Sequence, residues 1–85
     1  MAGPKVVFYT KPDCHLCEDA LALLLSTGRS LGMEVQVSKV DITTDPALEE
    51  TYGGIIPVLV FGGGATLTAP IEPGPLRAAL QAALR

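Results

Sequence analysis

The segment from Tyr9 to Ala20, Tyr-Thr-Lys-Pro-Asp-Cys-His-Leu-Cys-Glu-Asp-Ala, constrains this chain most, because both of its cysteines stand there, three residues apart. The run Val6–Tyr9 before it is β-branched and aromatic, as expected for a strand covered on both faces. After it, Cys17, Ala20, Leu21, Leu24 and Leu25 recur at helical spacing and should face a sheet. Cys14 and Cys17 therefore fall where a strand hands over to a helix. Side chains three apart on a first helical turn share a face, so the two sulfurs can form or break one disulfide. Pro12 ends the strand pattern, and Asp13 is the expected N-cap. Glu18 and Asp19 suit the positive end of that helix.

The remaining elements follow from local signals. Gly28 to Gly32 should end the helix, with Gly32 as its left-handed cap. Val35 and Val37 alternate within a strand over Glu34–Val40. Asp45-Pro46 opens a short second helix, whose buried face carries Leu48 and Tyr52, and Gly53-Gly54 closes it. Ile55–Phe61 reads as a strand with Pro57 near its start, Gly62–Gly64 as a hairpin turn, and Thr66–Ala69 as the return strand. Leu76, Ala79, Leu80, Ala83 and Leu84 mark a last amphipathic helix. The expected order is β-α-β-α-β-β-α, with crossovers joining the first three strands and a hairpin joining the last two.

The 85 residues suit a single domain, and 48% hydrophobic with 18% charged residues is the balance of a folded chain rather than a disordered one. A net charge of −3 argues against nucleic acid as a partner. No apolar run reaches the ~18 residues of a membrane span, so no membrane partner is expected. Met1–Lys5 lacks the apolar stretch of a secretory leader, and two cysteines in one tight motif are not a secreted disulfide framework. The expected setting is the cytoplasm.

In thiol–disulfide exchange the attacking species is a thiolate, and a free cysteine, with a pKa of about 8.5, is mostly protonated at neutral pH. The N–H groups and partial positive charge of a helix N-terminus favour the anion. Cys14, at that end, is the expected exposed nucleophile. Cys17, one turn deeper on the apolar face, is the expected resolving thiol. A purely structural pair or half of a zinc site are the competing readings of the same spacing. With two cysteines and one histidine in all, the chain is short of the four ligands of a structural zinc site. His15 is read as an exposed spectator, Tyr9 and Tyr52 as packing residues, and the glycine triplet as a turn, since it lacks the pattern of a phosphate loop.

A Cys-x-x-Cys at a strand-to-helix junction, followed by a strand opening with Ile56-Pro57, resembles the thioredoxin superfamily, and within it the glutaredoxin-like family. The resemblance takes in Tyr9–Ala20, Val40-Asp41-Ile42 with Asp45-Pro46, Tyr52-Gly53 and Ile56-Pro57-Val58-Leu59. It implies an α/β thioredoxin-like fold, a mixed four-stranded sheet with helices on both faces. It further implies catalysis by Cys14 and Cys17, with Pro57 as a cis-proline facing them and Ile56 offering its backbone to an extended substrate. Lys11 matches a lysine of the family pattern that would steady the thiolate and meet a substrate carboxylate. Where glutathione-using members carry a Gly-Gly and then an acidic pair, this chain has Leu67-Thr68 and Pro70-Ile71. Glutathione is therefore expected to fit poorly, and no bound cofactor is expected. The implied activity is reduction of protein disulfides or mixed disulfides, with a disulfide-bearing protein or a small thiol as partner and the chain acting as a monomer. The alternative on family grounds is a non-catalytic binding module, with an iron–sulfur cluster held between two subunits.

Overall fold

A computed structural model describes residues 3–83. The elements are β1 (Lys5–Thr10), α1 (His15–Ser30), β2 (Gln36–Asp41), a 3₁₀ turn (Ile42–Thr44), α2 (Pro46–Tyr52), β3 (Val58–Phe61), β4 (Thr66–Thr68) and α3 (Pro73–Ala83). They form one mixed sheet in the order β2-β1-β3-β4. The α1 crossover returns the chain so that β2 runs parallel to β1, whereas β3 runs antiparallel to β1 and β4 antiparallel to β3. The expected α/β architecture is the one observed. Leu84, expected on the last helix, lies outside the described residues.

Strand alternation divides the sheet into two unlike faces. Val6, Phe8, Leu59 and Phe61 share one face and are buried with Ala20 and Leu24 of α1 and Leu76 and Leu80 of α3. These two helices also touch each other. The opposite face carries Val7, Tyr9, Val58 and Val60, and there the Tyr52 ring of α2 stacks on Tyr9 with centroids 4.2 Å apart. A helix of only seven residues cannot cover that face, so Val7, Tyr9 and Val60 stay partly exposed. The expectation that β1 is covered on both faces holds fully for the Val6 and Phe8 side and only in part for the Val7 and Tyr9 side.

Several boundaries also move. The strand expected over Ile55–Phe61 begins only at Val58, because the Ile55 and Ile56 N–H groups both donate to the Tyr52 carbonyl and round off α2 instead. Gly53 caps α2 in ordinary right-handed conformation. The two glycines that need a positive φ in the hairpin are Gly63 and Gly64, at 98° and 107°. At the end of α1, Gly32 has φ 73°; its N–H donates to the Arg29 carbonyl and the Met33 N–H to the Gly28 carbonyl, a Schellman cap. Gly28 itself is buried inside the helix, where a Cβ would stand 2.5 Å from Val35 Cγ2. It is a packing glycine rather than a terminator.

At the end of β2 the Asp41 carboxylate accepts from both the hydroxyl and the backbone N–H of Thr43, at 2.6 and 2.9 Å. Those two bonds hold its carboxyl below the usual carboxylate value. A depressed folded-state pKa adds stability that is complete above the unfolded value of about 3.9 and is lost as pH falls through the folded value. In urea titrations at a series of pH values, Asp41→Asn should therefore flatten the acid limb of the stability profile and leave its neutral plateau parallel to wild type.

Candidate active site

β1 ends at Thr10, and four intervening residues lead the chain into α1. Asp13, the expected N-cap, instead turns the chain with φ 58°, a left-handed conformation that aspartate tolerates. The cap is Cys14. Its backbone is extended, and its Sγ accepts the Cys17 N–H at 3.1 Å, so the sulfur does what a serine or aspartate oxygen does at other helix starts. A backbone donor aimed at a sulfur, at the positive end of a 16-residue helix, is an arrangement that stabilises negative charge on that atom.

Cys14 and Cys17 are joined as a disulfide with their Cα atoms 5.2 Å apart. Their surroundings differ sharply. Cys14 is half-buried, and Cys17 is 3% exposed within the core beside Ala20 and Leu24. Both residues between them point outward: Leu16 is 63% exposed, and the His15 side chain is open to solvent, with Nδ1 3.5 Å from a Glu18 carboxylate oxygen. That contact is a surface pair and contributes little to stability.

Pro57 is fully buried just before β3, and the Ile56–Pro57 peptide bond is cis, as is Ala69–Pro70. Tyr9 pairs with Val58, so Pro57 lies beside the end of β1, at the edge of the sheet from which the cysteine loop emerges. Ile56 is 9% exposed and its N–H is engaged with Tyr52, at 3.1 Å. Lys11 is exposed in the same loop, but it lines a separate cavity of about 310 Å³ with Ile42, Thr43, Glu49 and Gly53. The fold thus joins the two cysteines and puts Ile56-Pro57 at their end of the sheet, while Lys11 faces another hollow.

Two features escaped the sequence reading. One is the stacking of Tyr9 on Tyr52, where partial burial and the neighbouring Tyr52 hydroxyl push the Tyr9 phenol up from its usual value. The helical spacing of Leu48 and Tyr52 pointed to a buried face but not to its partner strand. The other is a groove of about 150 Å³ beside the motif, lined by Leu16, Asp19, Ala20 and Leu23 of α1 and by Pro70 and Ile71. The exposed apolar Leu16 was its only sequence signal.

The glutaredoxin-like domain (DUF836) family matches residues 5–81, which takes in the whole motif and every element but the last two residues of α3. The chain belongs to the glutaredoxin-like family. Among solved structures it is similar to the Northeast Structural Genomics target protein XcR50 from X. campestris. The X-ray structure of that protein is 38% identical, covering 91% of this chain and 96% of that one with a TM-score of 0.72. Its solution structure aligns at 36% identity over 96% and 95% of the two chains, with a TM-score of 0.74. Protein Ne2328 from Nitrosomonas europaea is 26% identical over 94% of each chain, with a TM-score of 0.72. No curated protein matches. The mixed sheet and three helices of this glutaredoxin-like chain are thus a shared fold, with the cysteine pair at the start of its first helix. None of its described helices is long and apolar enough to cross a membrane.

Proposed function

We propose that this glutaredoxin-like protein is a thiol–disulfide oxidoreductase that reduces protein disulfides or mixed disulfides. The observation that carries the reading is the asymmetry of the pair: a half-exposed Cys14 sulfur at the helix cap, receiving a backbone N–H, bonded to a Cys17 sulfur sealed in the core. In the reduced protein the Cys14 thiolate attacks one sulfur of the substrate disulfide. A Cys14–substrate disulfide forms, the substrate S–S bond breaks, and the departing thiolate takes a proton from solvent. Cys17 then loses its proton and attacks the Cys14 sulfur. The Cys14–Cys17 disulfide closes and the second substrate thiolate leaves and is protonated. The substrate thus gains two electrons from the protein and two protons, one given up by Cys17 and one taken from solvent. No cofactor is needed beyond the two sulfurs.

The Ile56-Pro57 edge is the backbone against which an extended substrate segment docks, through the Ile56 carbonyl, since the Ile56 N–H already serves Tyr52. Lys11, exposed in the same loop, contributes positive charge. Leu67, Thr68, Pro70 and Ile71 offer glutathione neither small backbone nor acid, so a dithiol or small thiol of a reducing compartment, the cytoplasm, recycles the pair. The protein acts as a monomer. The test is a single-turnover reaction: the pre-reduced protein, freed of excess reductant, is mixed with a protein disulfide and both products are counted. One substrate disulfide reduced per Cys14–Cys17 disulfide formed is the expected balance. A protein that stays reduced, or one whose oxidation releases no substrate thiol, overturns the reading.

A further inference from the structure

We propose that the groove beside the motif selects the substrate, taking a polypeptide segment that carries an apolar side chain and a basic residue next to its disulfide. This rests on the exchange reading above and adds the class of substrate to it. Leu16 stands between the two cysteines in the chain and is 63% exposed, whereas Leu23, two turns on, is half-buried on the same groove. Pro70 and Ile71 close the other wall. Leu16 and the groove it lines together leave an apolar surface beside the motif that an incoming chain can bury.

Charge decides what that chain carries. The groove wall includes the Asp19 carboxylate, and the acids nearest it in sequence, Asp13, Glu18 and Glu72, are all exposed. Lys11 faces a different cavity, and His15 stands within 3.5 Å of Glu18. An apolar groove with the Asp19 carboxylate on its wall, on a chain of net charge −3, disfavours glutathione, which brings two carboxylates, and attracts a segment in which leucine-like and lysine-like residues flank the cysteine.

Two cysteine peptides activated as mixed disulfides with 5-thio-2-nitrobenzoate test this, one with Leu and Lys beside the cysteine and the other with Gly and Glu. Release of the coloured thiol from each gives kcat/KM for the reduced protein. At low salt the apolar–basic peptide is expected to react about 10-fold faster. Leu16→Ser should shrink that ratio about 5-fold, Asp19→Lys should invert its charge-dependent part, and high salt should erase that part alone. A wild-type ratio near one, or a ratio that neither substitution moves, overturns the proposal. The parent reagent, 5,5′-dithiobis(2-nitrobenzoate), separates the two claims. If the reduced protein fails to react with it, the exchange reading falls; if it reacts and the peptides are not distinguished, only the groove does.

Discussion

Replacing Cys14 with serine is expected to lower the rate of disulfide exchange by about 10³-fold or more, because it removes the nucleophile and leaves no second route. The fold should survive. Serine is a preferred N-cap, so its hydroxyl can accept the Cys17 N–H that Cys14 Sγ now receives at 3.1 Å. Far-ultraviolet circular dichroism then matches wild type while exchange is lost. Cys17→Ala should behave differently. Alanine at this core position, 3% exposed, removes only a small volume and buries no polar atom. Stopped-flow rates should show the first attack retained within roughly an order of magnitude, with turnover stopped because nothing resolves the mixed disulfide. Equal losses at both positions would mean that the two sulfurs are interchangeable, contrary to the burial asymmetry.

The second large effect lies in the core. Phe8, 1% exposed, stands on an interior strand of the sheet opposite Leu59, and its ring meets the buried cluster shared by α1 and α3. Phe8→Ala should cost about 3–5 kcal/mol, by lost burial and by the cavity left behind. A domain of this length is stable by something on the order of 4–13 kcal/mol, so such a loss brings the chain near its folding limit. Val7→Ala, on the thinly covered face, should cost only about 1 kcal/mol. Urea unfolding of the two variants checks both; similar midpoints would contradict the two-faced sheet.

Much of this fold can be read from local chemistry. Asp45-Pro46 is a cap followed by a first-turn proline, and the Asp45 carboxylate does accept the Ala47 N–H at 2.9 Å. Gly32 takes the left-handed position assigned to it. The cysteine pair stands out because so few residue types can do its chemistry. What stayed hidden depends on partners remote in sequence. Asp13 lost the cap because its backbone makes a left-handed turn, at φ 58°, and the helix starts one residue later, where the sulfur of Cys14 takes the Cys17 N–H. Ile55-Ile56 looked like strand because both residues are β-branched, but the Tyr52 carbonyl outcompeted a ladder partner. The unequal faces follow from how short α2 is, and the groove exists only because Pro70-Ile71 packs beside Leu16 and Leu23. Lys11 followed a family pattern, and it lines a hollow with Glu49 and Thr43 that no local signal announced.

The central claim is that Cys14 attacks and Cys17 resolves, and peptide mapping by mass spectrometry tests it most directly. Reduced Cys17→Ala protein is mixed with a disulfide substrate, quenched with acid, digested and searched for the sulfur that carries the substrate. The account predicts a stable mixed disulfide on Cys14, and none when Cys14→Ser protein is treated in the same way. A mixed disulfide on Cys17 in the Cys14→Ser protein, formed as fast as the one on Cys14, would contradict it.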